Sequence, residues 1–198
     1  MSDKPEKIKP EELRVEILSE YNSDQIKGFK SYERDLVDFL LEDALENQKK
    51  NVSVTYLWVH IKSGELVGYI TLLTDSVTLK KLDPSLKEEF KMKGIDYPTL
   101  PAIKIGRICV DDRYRHRGIG TMMFYYALSV MVKLNKIVGC RFITLDAKEN
   151  KDNEENNSVH FYKGLGFNFL KEKEKRHPPM YFDAFKTMKE IEEKLMNK

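Results

Sequence analysis

The chain has 198 residues, enough for one well-cored domain and short for two. Its 41% hydrophobic and 33% charged residues fit a folded globular protein, and a formal net charge of +2 gives no general argument for nucleic acid or a membrane surface as partner. Cys109 and Cys140 lie in or beside apolar runs without metal or redox spacing, the start is polar, and no apolar run could span a bilayer, so a cytoplasmic protein without membrane association is expected.

Residues 1–12 read as a flexible N-terminal arm. Leu13, Val15 and Ile17 alternate, which predicts a half-buried strand over 13–18. Leu36, Phe39, Leu40, Asp43, Ala44 and Gln48 follow helical spacing within a helix over 31–48. Residues 52–61 are β-branched and aromatic, and Lys62-Ser-Gly-Glu65 turns that strand into a second one over 66–73. Asp83-Pro84 marks a helix start and Gly94 its stop. After Pro98 and Pro101 comes an apolar strand, 103–110. The longest helix, 118–136, is apolar almost all round, which predicts burial on more than one side and leaves room for a homodimer. A strand over 142–147, a charged loop over 148–157, a short helix over 158–165 closed by Gly166, a strand over 180–185 and a terminal helix over 186–198 complete the chain. No repeat or linker interrupts it, so residues 1–198 read as a single α/β domain with a mixed sheet covered by helices.

Between the 103–110 strand and the long helix stands Arg115-His-Arg-Gly-Ile-Gly-Thr121. A strand that passes through a basic, glycine-containing turn into a helix makes an anion site: glycines admit close backbone approach, and the unpaired N–H groups of the first helical turn point at the ligand. No Walker loop is present, and a dinucleotide fingerprint would place Met123 where a small residue is needed. The histidines, His60, His116, His160 and His177, are scattered without ligand spacing, so no metal is expected.

Ile108-Cys-Val-Asp-Asp-Arg-Tyr-Arg-His-Arg-Gly-Ile-Gly120, followed at a compatible distance by Phe161-Tyr-Lys-Gly-Leu-Gly-Phe167, resembles the paired signatures of the GNAT N-acetyltransferases. The likeness runs from about Phe29 to Phe182. Ala44-Leu-Glu-Asn-Gln48, Thr55-Tyr-Leu57, Gly68-Tyr69 and residues 100–107 resemble the branch containing toxins of toxin–antitoxin pairs, which acetylate aminoacyl-tRNA. The resemblance implies a largely antiparallel central sheet flanked by helices, with a splayed parallel strand pair at the CoA site. It implies direct transfer of an acetyl group from acetyl-CoA to a primary amine. The acceptor stays open at this point: a small molecule, a peptide or aminoacyl-tRNA. A non-catalytic CoA-binding or interaction module is the reading from another class.

The same resemblance implies the site residues. Backbone groups of Ile108, Cys109 and Val110 pair with the pantetheine arm, and an N–H there, that of Val110 first, faces the thioester oxygen. Arg115, His116, Arg117, Gly118, Ile119, Gly120 and Thr121 hold the pyrophosphate, with Arg115 and Arg117 adding charge-assisted contacts. Tyr162 is the general acid for the departing thiolate, a role suited to a phenol because the two pKa values are comparable. Asn157 is a cofactor-contact candidate. The general base is unassigned among Glu33, Asp146, Glu149 and ordered water.

Overall fold

A computed structural model describes residues 5–148, 157–171 and 177–187. Its elements are β1 (Leu13–Ile17), α1 (Ser23–Lys27), α2 (Arg34–Asp38), α3 (Ala44–Lys49), β2 (Val54–His60), β3 (Leu66–Thr78), α4 (Pro84–Met92), β4 (Thr99–Val110), α5 (Ile119–Leu134), β5 (Phe142–Asp146), α6 (Ser158–Gly164), β6 (Asn168–Phe169) and β7 (Pro179–Asp183). Among the described residues the strands form one sheet in the order β1-β2-β3-β4-β5-β7-β6. β1–β2, β2–β3, β5–β7 and β6–β7 pair antiparallel, and β4–β5 pair parallel. This is the mixed, largely antiparallel sheet expected from the sequence.

Two compact units divide the backbone: residues 1–73 with 105–127, and residues 74–104 with 128–198. In the first, Leu18, Phe29, Leu40, Leu57, Val59 and Tyr69 form one apolar cluster to which Cys109 of β4 belongs. Each fully buried Leu or Val contributes roughly 1.5–3 kcal/mol. The helix expected over 31–48 begins at Arg34 and widens into a π turn over Phe39–Asp43 between α2 and α3. Beside that turn the Tyr69 hydroxyl donates to the Leu36 carbonyl at 2.6 Å. Gln48, at a position of the expected core face, instead reaches the strands: its amide donates to the Leu18 carbonyl and accepts from the Thr55 N–H. Within the N-terminal arm, the Ile8 N–H donates to the Arg117 carbonyl at 3.1 Å.

The second unit has its own cluster, built from Val77, Leu82, Leu86, Phe90, Leu100, Ala102, Phe142 and Tyr181. Asp83 caps α4 by accepting from the Ser85 N–H at 2.9 Å, and this helix supplies Leu86 and Phe90 to the core. Arg141 lies over the Phe90 ring at 4.4 Å while its guanidinium binds Asp183 at 2.8 Å.

Several expectations need correction. β3 extends to Thr78 and β4 begins at Thr99, because the polar run after Leu73 and the prolines before Ile103 mask strand that the backbone nevertheless forms. The short β6 was not anticipated, and residues 184–187 are helical rather than the end of a strand. α5 ends at Leu134 and is not buried all round. Ile119, Met123, Ala127 and Met131, spaced by four, are fully covered together with Phe124, whereas Tyr125 is 58% exposed. Residues 188–198 of the expected terminal helix and residues 149–156 of the charged loop lie outside the described residues. Among the described residues no helix is long and apolar enough to cross a membrane.

Candidate active site

The Arg115–Thr121 turn belongs to the first unit. β4 delivers it with a simple alternation: Cys109 is buried, whereas Ile108 and Val110 are half-buried. Cys109 faces the apolar cluster, and burial pushes its thiol up to about 12, so it is a neutral core group at neutral pH. Gly68 of β3 permits this packing, since a Cβ there would meet the Cys109 carbonyl at 3.1 Å and the Ile119 and Met123 side chains at 3.3 Å.

Beyond β4 the chain takes two left-handed residues, His116 (φ 62°) and Gly118 (φ 87°), before α5 starts at Ile119. The Gly118 carbonyl accepts from the Met122 N–H, the first intrahelical bond, so the N–H groups just after Gly118 have no turn before them to pair with. A backbone of this shape at a sixteen-residue helix start suits a pyrophosphate. The side chains around it are ordered by aromatic faces. The Arg115 guanidinium lies 4.7 Å over Tyr32 and that of Arg117 lies 5.5 Å over Tyr114. His116 is exposed, Thr121 half-buried, Gly120 half-buried and Ile119 fully buried.

Sequence reasoning missed what fixes this turn. Asp111, with no exposed surface, accepts from the Lys30 N–H (2.9 Å), the Arg113 N–H (3.0 Å) and the Arg113 guanidinium (2.8 and 2.9 Å). Arg113 also binds Glu65 at 2.6 Å, and the Tyr114 hydroxyl donates to the same carboxylate. Asp112 adds a bond from the Tyr32 N–H at 2.7 Å. Burial opposes ionisation of Asp111, but the Arg113 side chain and the two backbone N–H groups outweigh it and hold the carboxyl below its usual range. Asp111 in turn holds Arg113 charged, with Glu65 adding to it. Tyr32 is driven up to about 12 by burial, partly offset by Arg115. The signal in the sequence was present: Asp111-Asp-Arg113 is an acidic-acidic-basic run between an apolar strand and the basic turn.

Tyr162 belongs to the second unit. It lies on α6, 6% exposed, with its ring edge-on to Phe161 at 5.2 Å and to Phe167 at 5.5 Å. Gly166 (φ 95°) ends the helix and lets Phe167 fold back onto Phe182 at 5.5 Å. Asn157 caps α6 by accepting from the Val159 N–H at 3.0 Å, a structural use of the side chain expected to meet the cofactor. Of the carboxylates considered as base, Asp146 binds Lys104 at 2.6 Å, Glu33 is the residue before α2, and Glu149 lies outside the described residues. Among the described residues no cluster of three His, Cys, Asp or Glu side chains could hold a metal.

Residues 15–167 match the profile of the acetyltransferase (GNAT) family. The chain is similar to a tRNA-acetylating toxin of Mycobacterium tuberculosis (strain ATCC 25618 / H37Rv), 26% identical over 126 residues that cover 64% of this chain and 71% of that protein. Its fold is similar to that of AtaT complexed with acetyl-methionyl-tRNAfMet (TM-score 0.75, 22% identity, 90% of this chain and 98% of the other). It is also similar to a tyrosine-to-phenylalanine mutant of KacT (TM-score 0.74, 23% identity, 91% and 99%). The match takes in most of both units, the glycine turn and the Tyr162 helix alike, and the chain belongs to the acetyltransferase (GNAT) family, enzymes that use acetyl-CoA as acyl donor.

Proposed function

We propose that this N-acetyltransferase moves the acetyl group of acetyl-CoA onto the α-amino group of aminoacyl-tRNA. The observation that carries the acceptor is the likeness to the tRNA-acetylating toxin, and the fold shared with AtaT supports it. Both units then serve one domain, since the family profile draws on both.

Bound acetyl-CoA supplies the thioester carbonyl that the acceptor amine attacks. The N–H groups from Arg115 to Thr121 receive the pyrophosphate, and Arg115 and Arg117 present their guanidiniums to it from the faces of Tyr32 and Tyr114. His116 holds the left-handed bend of that turn. The polar backbone of Ile108, Cys109 and Val110 receives the pantetheine amides, and the Val110 N–H faces the thioester oxygen. The Tyr162 hydroxyl gives its proton to the departing sulfur, and the proton that the attacking amine loses replaces it by way of water. Asn157 keeps Tyr162 in place by starting α6.

Two partners follow from the same reading. AtaT has been seen bound to the C-terminus of its antitoxin AtaR, and KacTA with DNA, so a small DNA-binding antitoxin is expected for this chain. The partly uncovered α5, with Tyr125 outermost, supports self-association into a homodimer.

The test is transfer of labelled acetyl from acetyl-CoA to charged tRNA, deacylated tRNA, a lysine-bearing peptide and simple amines. Label on charged tRNA alone, with growth arrest on expression, is the expected result. Label on peptide or small amine with charged tRNA untouched would overturn the acceptor and leave the acetyltransferase.

A further inference from the structure

The polar cavity of about 250 Å³ in the second unit, where the registered β4–β5 pairs end at Lys104↔Thr144, ties its carboxylates to its own wall. Asp146 accepts from the Lys104 ammonium at 2.6 Å, and Asp75 accepts from the Thr144 hydroxyl. In the first unit a different feature reaches the glycine turn. The segment before β1 meets the β2–β3 turn at Glu12, whose carbonyl accepts from the Ile61 N–H at 2.9 Å. It meets the glycine turn at Ile8, whose N–H donates to the Arg117 carbonyl at 3.1 Å. Between these anchors the segment closes on itself. Pro10 opens a single 3-10 turn over Pro10–Glu12, the Lys9 N–H donates to the Glu12 carboxylate at 2.8 Å, and the Glu12 N–H donates to the Lys9 carbonyl at 3.0 Å. A proline of fixed φ and this reciprocal Lys9–Glu12 pair leave the segment few alternative conformations.

The Ile8 contact falls on the peptide that joins Arg117 to Gly118. In a planar trans peptide the C=O and N–H point in opposite directions, so a carbonyl held by Ile8 turns the Gly118 N–H away from the segment. Left alone, this peptide could turn over, because Gly118 takes either sign of φ at little cost. The Arg117 side chain is held separately, its guanidinium 5.5 Å over the Tyr114 ring, whose hydroxyl donates to Glu65. Ile61 and Glu65 both stand in the turn between β2 and β3, so the backbone and the side chain of Arg117 hang from one hairpin. Residues 8–12 precede the stretch that matches the family profile, residues 15–167, and belong to neither family signature.

We propose that residues 8–12 form a strap that presets the pyrophosphate-binding turn, with the Ile8 N–H as a positioning donor that keeps the Gly118 N–H presented to the phosphates of acetyl-CoA. This rests on the placement of the pyrophosphate at the turn under the proposed function. Ile8 works through the Arg117 carbonyl rather than by touching the donor. A turn set before binding removes the ordering that acetyl-CoA would otherwise have to impose. The strap therefore strengthens donor binding and is indifferent to the transfer step once the donor is in place.

The test compares dissociation constants of the full chain and its variants for acetyl-CoA and for S-acetylpantetheine, which lacks the pyrophosphate. Ile8→Pro removes the N–H and should weaken acetyl-CoA about fivefold, an ordinary net value for one hydrogen bond, while acetylpantetheine binds as before. Ile8→Ala keeps the N–H and should bind both ligands as the parent does. Melting temperatures close to the parent's show that the variants are folded. Acetyl-CoA affinity untouched by Ile8→Pro overturns the strap. So does an equal fall with both ligands, which would be a general defect, or an equal fall in Ile8→Ala, which would be side-chain packing. Gly120→Glu, which sets a carboxylate in the turn, tests the reading beneath. If it leaves acetyl-CoA binding intact, the pyrophosphate lies elsewhere and the strap loses its ligand. Binding lost in Gly120→Glu beside an indifferent Ile8→Pro removes the strap alone.

Discussion

The glycine turn of the first unit and the cavity wall of the second use the same residue types in opposite ways. At the turn, Asp111 is wholly covered and all its contacts are intramolecular: Arg113 and two backbone N–H groups converge on it. Around the cavity, Asp75 and Asp146 are each held by one side chain of the wall, and open volume remains beside them. A carboxylate with every acceptor position occupied and no adjoining space shapes a backbone. One that is oriented but borders a void can meet a ligand. The contrast separates a carboxylate that shapes the backbone of the turn from carboxylates that border open volume.

Substitutions should therefore fail differently in the two units. The largest effect belongs to the second. Tyr162→Phe keeps the ring contacts with Phe161 and Phe167 and removes only the hydroxyl. With Tyr162 as general acid, kcat falls about a hundredfold while acetyl-CoA affinity stays as it was. Equal turnover in single-turnover assays would return Tyr162 to the core.

In the first unit the damage should appear in stability. Asp111→Ala strands Arg113 and the Lys30 N–H, and hydrogen bonds to charged groups contribute about 1.5–3 kcal/mol each, less here because the Arg113 side chain is 41% exposed. A loss of about 2–3 kcal/mol in denaturant unfolding, together with weaker acetyl-CoA binding, is expected. Folding lowers the Asp111 pKa, so the network stabilises fully above the ordinary Asp value of about 4 and that contribution disappears as pH falls through the lowered folded value. Asp111→Asn should flatten this acid-side decline, and an unaltered decline would assign it to other carboxylates. A smaller loss is expected at Gly118. Added bulk meets nothing within 4 Å, so Gly118→Ala costs only the left-handed backbone, about 1–2 kcal/mol. A larger loss would mean that the space beside Gly118 is needed by the fold itself.

The same division explains what the sequence could disclose. The turn was legible because its demands are local: a positive φ at Gly118 and the start of a helix are written in adjacent residues. The alternation of β1, the β2–β3 hairpin and the Asp83 cap of α4 were readable for the same reason. Asp111's role was hidden, since its partners Lys30 and, through Arg113, Glu65 stand far away in the chain. So was the cavity, which draws on β3, Lys81, β4, β5, Leu170 and the first residue of β7. The extensions of β3 and β4 failed for a different reason. Pro101 looks like a strand breaker, yet its carbonyl accepts the Arg141 N–H at 3.0 Å, and a proline lacks only the donor. Asn157, a cofactor-contact candidate, also caps α6, and helix capping and ligand binding favour the same short amide.

The smallest effect tests whether the arginines of the turn are preset for the donor. Tyr32 is 45% exposed and contributes little to the core, but its ring carries the Arg115 guanidinium at 4.7 Å. A cation–π contact at such a site is worth about 0.5–1 kcal/mol. Tyr32→Leu keeps an apolar side chain and removes the aromatic face. Global stability should then change by less than about 1 kcal/mol, while acetyl-CoA affinity falls up to about fivefold, because Arg115 must be ordered on binding rather than before it. Dephospho-CoA, measured alongside, separates the phosphates: an equal fall places Arg115 at the pyrophosphate, and a fall seen only with the full cofactor places it at the 3′-phosphate. An unchanged affinity for both ligands would mean that Arg115 meets no phosphate, and that the backbone of the turn holds the donor without it.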